Sequence, residues 1–310
     1  MFDKAPVAYV NNFSVGTMEL IKNVIIEMRP KQWYKNLLLF IGIIFSINFL
    51  HLNYWFSTIL GFISFCLLSS SIYIINDVID VEKDRLHPVK CNRPIASGRL
   101  NPYVAFIIAL LLVFIAIFIS MYVGILFSLI ACIYLAVTLL YDFMLKNVYL
   151  VDVFTISIGL VLRAVAGCTA ISVVVSPWLI LCTFLMALFL AFGKRRHELL
   201  LLNENASKHR PVLKKYSSAM LDSFINISTS ALIVSYCLYT FFSSHTFMML
   251  TIPFALYGIF RYIDRLYKME MGGEPELIFK DKYMITDILI WTCTILLVML
   301  RIPEFIIAFI

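Results

Sequence analysis

Apolar runs longer than any soluble core requires recur along the whole chain, and they decide its class. A helix needs about 20 apolar residues to cross a hydrocarbon layer of about 30 Å, and several stretches here exceed that length. Lipid offers no partners for backbone N–H and C=O groups, so such stretches must be helical. Hydrophobic residues make up 62% of the 310 and charged residues only 14%, against about a quarter charged in soluble domains. The chain therefore reads as one all-α integral membrane domain over residues 1–310. The pattern predicts nine crossings bundled together, at 36–52, 54–76, 102–119, 122–141, 149–172, 177–194, 218–242, 246–264 and 285–308. Before them, an amphipathic helix over 17–30 places Leu20, Ile21, Val24, Ile25 and Met28 on one face, which suits a position in the membrane interface.

Charge sorts to one side of these crossings. The links at 52–53, 120–121, 173–176 and 243–245 carry no Lys or Arg, whereas the alternate links are long and charged. Lys and Arg number five before residue 36, five in 77–101, one in 142–148, seven in 194–217 and five in 261–282; of the 25, only Arg163 and Arg301 remain. Positive flanks mark the cytoplasmic side. The amino terminus is thus expected on the cytoplasmic side of the membrane, with 77–101, 194–217 and 265–284 as cytoplasmic loops. This topology accounts for most of the net charge of +6, and nothing in the pattern points to nucleic acid. The first 30 residues lack an apolar core followed by a small-residue cleavage site, so no cleavable signal is expected. The seven Cys form no CxxC pair and read as small apolar residues.

One hydrophilic stretch is unlike a simple solvated link. Asn76–Gly98 reads NDVIDVEKDRLHPVKCNRPIASG and follows directly on the apolar run SSSIYII. On a helix, Asn76, Asp77, Asp80 and Asp84 fall within an arc of about 100°, so their oxygens can converge. Pro88 then stops the helix. Three carboxylates on one stripe repel one another and raise their pKa values or demand a cation. A salt-bridged helix end using Lys83 and Arg85 would satisfy them. The bases that follow at Arg85, His87, Lys90, Arg93 and Arg99 favour a different arrangement. Oxygen ligands here suit Mg²⁺, which keeps some waters and completes its shell with substrate phosphates, while neighbouring bases take the remaining phosphate charge.

NDxxDxxxD followed by HPxKxxRPIASG resembles the first aspartate-rich motif of the UbiA superfamily of membrane prenyltransferases. The resemblance implies nine transmembrane helices around a central cavity open to the cytoplasm and laterally to lipid. It also implies a Mg²⁺–diphosphate site at Asn76, Asp77, Asp80 and Asp84. RPKQWYKN (29–36), YDFMLKNVYLVD (141–152) with LVLRAVAG beyond it, FGKRRHELLLLNENASKHRPVLKKYS (192–217) and GGEPELIFKDKYMITDILIW (272–291) are similar to one branch, the polyprenyl-phosphate phosphoribosyltransferases, including the decaprenyl-phosphate enzymes.

That branch transfers phosphoribose from 5-phosphoribosyl-1-diphosphate (PRPP) to a polyprenyl phosphate lipid, and the product can feed pentofuranose donors for the cell envelope. By this resemblance Asp77, Asp80 and Asp84 are the catalytic carboxylates. Lys35, Asn76, Arg85, Lys90, Arg93, Tyr141, Lys146, Asp152, Lys194, Arg195, Arg196 and Arg210 are the candidate substrate contacts. Lys194, Arg195 and Arg196 are expected to help hold the 5-phosphate or the lipid phosphate, against the ordinary reading of a positive flank. Asp152 is expected to support a second Mg²⁺ or to orient Lys146. Arg163, deep in a crossing, is expected to have a partner or line a polar cavity.

Some positions depart from the superfamily. Many members carry two carboxylates as DxxxD in the second motif, whereas Asp142 and Asp152 stand ten apart, and Asn147 follows Lys146 where a base is usual. Asp142 itself occupies a position where the branch would have Ser, and it receives no role from the resemblance. Two other functions share much of the pattern. An aromatic prenyltransferase of the same fold would share the Asp stripe but has fewer phosphates to gather than the two basic loops provide for. A transporter would place its charges near the midplane and show repeats, and neither is evident here.

Overall fold

The computed structural model describes residues 16–46, 50–202, 211–268 and 275–302, and all regular structure among them is helical. The expected site at Arg210 lies outside the described residues. Eight helices among the described residues are long and apolar enough to cross a membrane: Leu52–Ile79, Pro102–Val123, Ile125–Phe143, Val151–Ala170, Pro177–Leu201, Ser218–Phe241, Phe247–Tyr267 and Lys282–Met299. In chain order the helices that matter below are α1 (Thr17–Met28), α2 (Ile41–Ile44), α3 (Leu52–Ile79), α4 (Val81–Arg85), α5 (Pro102–Val123), α6 (Ile125–Phe143), α7 (Val151–Ala170), α8 (Pro177–Leu202) and α9 (Ser218–Phe241).

The crossing expected at 36–52 takes another form. Pro30–Phe40 is a 3₁₀ helix that runs into α2. At rises of about 2.0 and 1.5 Å per residue, 30–44 spans about 28 Å, close to the hydrocarbon thickness, without one long α-helix. Side-chain and backbone contacts hold the segment in this stretched form. Trp33 Nε1 donates to Ser70 Oγ at 3.0 Å, and Asn36 Nδ2 donates to Ser69 Oγ at 3.1 Å. A Cβ on Gly167 would lie 2.0 Å from the Leu39 carbonyl oxygen, and one on Gly42 would lie 2.8 Å from the Cys168 nitrogen. Backbone lies directly against backbone there, and only glycine permits it.

Small residues also bring α3 and α5 together. Ala105, Ala109, Ala116 and Ser120 recur on one face of α5 and are buried, the spacing that lets membrane helices approach closely. Ser64 Oγ donates to the Ala116 carbonyl at 2.9 Å and lies 2.7 Å from Ser120 Oγ.

Two sequence expectations shift by a rotation or a boundary. In α1 the buried residues are Asn23 and Glu27, with Leu20, Val24 and Met28 packed on the core beside them, while Ile21 and Ile25 are exposed. Two polar side chains turn toward the protein, so the helix is rotated from the all-apolar face that its pattern suggested. In α8 the helix continues to Leu202, so Lys194, Arg195 and Arg196 belong to a helix rather than a loop. Successive helical residues point about 100° apart, which sends these three bases in three directions.

Candidate active site

At 28 residues, α3 is about 42 Å long, more than the hydrocarbon layer needs, and its last turns carry Asn76 and Asp77 beyond the apolar run. The helix breaks at Asp80, and α4 resumes one residue later. The backbone keeps its spacing across the break: Asp80 N donates to Asn76 O at 2.9 Å and Asp84 N to Asp80 O at 2.8 Å. Seven residues rotate a helix to within about 20° of two full turns, so Asp77 and Asp84 share a side while Asp80 points elsewhere. Both are nearly inaccessible, at 1% and 3% exposure.

One cation joins that pair. After α4 the chain turns back through Pro88 and buries Ile95 and Leu100 against Ile74. This returns Arg93 to the stripe, where its Nη1 donates to Asp77 Oδ1 at 2.9 Å and to Asp84 Oδ2 at 2.5 Å. Lys90 Nζ lies 3.6 Å from Asp84 Oδ1. Asp80 instead meets Lys83 at 3.0 Å and Lys146, from the 3₁₀ turn after α6, at 3.3 Å. Partial burial pushes the Asp80 carboxyl up, but hydrogen bonds and charge from Lys83 and Lys146 outweigh it and hold it below the usual carboxylate range.

Two members of the cluster went unassigned in the sequence. Arg29 donates to both oxygens of Asp77, at 2.6 Å to Oδ1. It ends α1 in the left-handed conformation, φ 52°, a cost of order 1–3 kcal/mol for a non-glycine residue. That turn lets the chain pass from α1 into the 3₁₀ helix while aiming the guanidinium at the site. Glu27, two residues earlier, accepts from Ile95 N at 2.8 Å and lies beside Asp77. Burial first, and the adjacent Asp77 second, push its carboxyl up to about 7. The available signal was an acid on the protein-facing side of an amphipathic helix, just before RPKQWYKN.

Other expected contacts are placed differently. Arg85 does not join the cluster: it is exposed, bonded to Glu82 at 2.8 Å and to the Ala96 carbonyl at 3.3 Å, because it leaves α4 on the solvent side. Asp152 does not orient Lys146. At 0% exposure it accepts from Arg195 Nε at 2.8 Å and from Tyr216 OH at 3.2 Å. The first turn of α7 faces α8 and the 211–216 segment, so Asp152 and Arg195 neutralise each other and Arg195 also pairs with Glu198 at 2.7 Å. Arg196 turns to Asp222 at 2.5 Å and stacks on Tyr267. Lys194 is exposed, and Tyr141 is half-buried within electrostatic reach of Arg195. Lys35 is half-buried near the Tyr34 ring. Arg163 has neutral partners: Asn36 Oδ1 at 2.7 Å, the Gly159 carbonyl at 2.8 Å and Tyr134 OH at 2.6 Å.

Asn76, Asp77, Asp80 and Asp84 present oxygen donors, the chemistry of a hard divalent cation. Among the described residues, no three Asp, Glu, His or Cys side chains gather closely enough to hold a metal. The convergence expected of four residues is found for Asp77 and Asp84, and there a guanidinium bridges the two carboxylates. A cation of compact size can replace it only if Arg93 moves toward another anion. The donor set fits the ion, and the same cluster supplies cations for the phosphates that would accompany it.

The family model for the UbiA prenyltransferase family matches residues 37–279. The chain is 33% identical to decaprenyl-phosphate phosphoribosyltransferase of Mycolicibacterium smegmatis, over 89% of this chain and 92% of that protein. It is 31% identical to decaprenyl-phosphate phosphoribosyltransferase of Corynebacterium glutamicum, over 92% and 89%. In fold it is similar to a UbiA homolog from Archaeoglobus fulgidus solved with GPP and Mg²⁺, with a TM-score of 0.68, 15% identity, and 89% and 99% coverage. This multi-pass membrane chain is a member of the UbiA prenyltransferase family.

Proposed function

We propose that the chain transfers 5-phosphoribose from PRPP to the phosphate of a decaprenyl-type polyprenyl phosphate, giving polyprenylphosphoryl-5-phosphoribose and diphosphate at the cytoplasmic face of a bacterial plasma membrane. The observation that carries this reading is the nearly end-to-end match to relatives named for that activity. The cluster supports it physically. Three anionic groups must meet near one carbon: the leaving diphosphate, the 5-phosphate and the acceptor phosphate. Arg29, Arg93, Lys90 and Lys146 all reach the carboxylates of the stripe, so they are positioned to hand their charge to arriving phosphates.

Asn76, Asp77, Asp80 and Asp84 would hold Mg²⁺, which when bound supplies positive charge to the departing diphosphate. The residues themselves bind and orient. The acceptor phosphate is ionised at neutral pH and needs positioning against the anomeric carbon rather than a base. Arg93 and Arg29 hold Asp77 and Asp84 as a closed ion cluster before substrate arrives, which prevents bare carboxylates from facing one another. The stretch 30–44 is proposed as the ninth crossing, with its cytoplasmic end at Arg29. The route for the lipid is proposed to open sideways, since a polyprenyl tail cannot leave the bilayer.

A membrane assay separates this function from that of an aromatic prenyltransferase. Membranes containing the protein are offered PRPP with decaprenyl phosphate, and separately a polyprenyl diphosphate with 4-hydroxybenzoate. The expected outcome is a lipid product whose mass exceeds that of the acceptor by one phosphoribosyl group, formed only in the first mixture. Turnover of only the second mixture overturns the proposal.

A further inference from the structure

Asp142 is a carboxylate of the cluster to which nothing above gives work. It is the penultimate residue of α6, half-buried, and the helix ends one residue later, at Phe143. The break separates it from the i,i+4 geometry that would pair it with Lys146, and Lys146 instead reaches across to Asp80 at 3.3 Å. Among the described residues, no hydrogen bond or ion pair engages the Asp142 carboxylate, yet the charges that act on it are Lys146, Asp80, Arg29 and Asp77. It therefore borders the same site from the opposite helix, with its acceptor capacity unspent.

An ionised carboxylate only accepts hydrogen bonds. The phosphates of PRPP and of the lipid are acceptors too, and Asp142 repels them. The donor has one part with hydrogen-bond donors to offer, the vicinal hydroxyls of its ribose. Carboxylates recognise ribose in this way in dinucleotide-binding proteins. We propose that Asp142, which stands where the branch has Ser, accepts hydrogen bonds from the ribose 2- and 3-hydroxyls of the phosphoribosyl donor, and so adds in this chain to the selection of a sugar diphosphate over a prenyl diphosphate. The inference rests on the proposed function and adds the residue that reads the sugar. A prenyl chain has no hydroxyl for it, and seating one there would leave the carboxylate desolvated and unpaired.

The test compares PRPP with its 2-deoxy and 3-deoxy analogues in wild type, Asp142→Asn and Asp142→Ala, each assayed with decaprenyl phosphate. In wild type, removing one hydroxyl is expected to lower kcat/KM roughly ten- to hundredfold, the range for a hydrogen bond to a charged group. In Asp142→Ala the ratio between PRPP and at least one deoxy analogue is expected to fall toward one, and Asp142→Asn is expected to lie between. The ratio is taken within each variant, so a smaller folded fraction does not change it. Full wild-type discrimination in Asp142→Ala overturns the inference. So does unchanged discrimination with an altered Mg²⁺ requirement, which would make Asp142 a partner of the metal. Wild-type membranes that form no phosphoribosyl lipid at all would instead defeat the proposed function itself, a result distinguishable from either.

Discussion

Asp77→Asn is expected to lower phosphoribosyl transfer roughly a hundred- to a thousandfold, the range seen when one preorganised electrostatic contact at a reacting centre is lost. Asp77 is the most connected acid of the cluster. It accepts hydrogen bonds from Arg29 and Arg93, lies beside Glu27 and is almost wholly buried. Asn keeps the shape and one acceptor but removes the charge that a divalent ion and two guanidiniums require. Arg93 retains Asp84, so the fold should survive with a modest loss. Expression level, thermal midpoint in detergent and rate are measured together. A rate within threefold of wild type would remove Asp77 from the chemistry; a rate loss matched by loss of folded protein would make its role structural.

Arg195→Ala is expected to act in the opposite order, on the fold before the substrate. Its Nε lies 2.8 Å from Asp152 Oδ2, with the two side chains 1% and 0% exposed as residues. Removing one partner of a buried ion pair leaves an uncompensated charge, at a cost of about 3–5 kcal/mol. Tyr216 continues to donate to Asp152 and offsets part of this. The double variant Asp152→Asn/Arg195→Met buries no unpaired charge and is expected to recover most of the lost stability. Thermal unfolding of the single and double variants checks the expectation. A normally stable Arg195→Ala protein with a raised KM for PRPP would return Arg195 to the phosphate-binding role that its KRR context suggested.

What could be read from the sequence follows from what is local. Apolar length located eight helices long enough to cross, because the hydrocarbon layer sets a minimum that no tertiary contact changes, but it missed the 3₁₀ form of the first expected crossing. The seven-residue spacing of Asp77 and Asp84 put them on one side of a helix, and the structure brings them to a shared guanidinium. The break at Asp80 was not legible: nothing in NDVIDVEKD forbids a helix, and the Lys146 that meets Asp80 there lies 66 residues away. Lys194, Arg195 and Arg196 look alike as a positive flank. Their fates diverge because α8 continues past them, and only Arg195 meets an acid that lies 43 positions earlier. Glu27 and Arg29 were hidden for a related reason. Their partner Asp77 lies about 50 residues away, and α1 must rotate from its most apolar face to reach it. Arg163 was expected to need a partner, and its partners proved to be an amide, a carbonyl and a phenol, none of which hydropathy or charge spacing reveals.

In the proposed mechanism Asp77 and Asp84 exchange Arg93 for a divalent ion when the donor binds. An experimental structure with PRPP and Mg²⁺ tests this most directly. The account predicts both carboxylates turned to the ion, with Arg93 moved from between them onto a phosphate oxygen. Carboxylates still bridged by Arg93 while PRPP is bound elsewhere would contradict it.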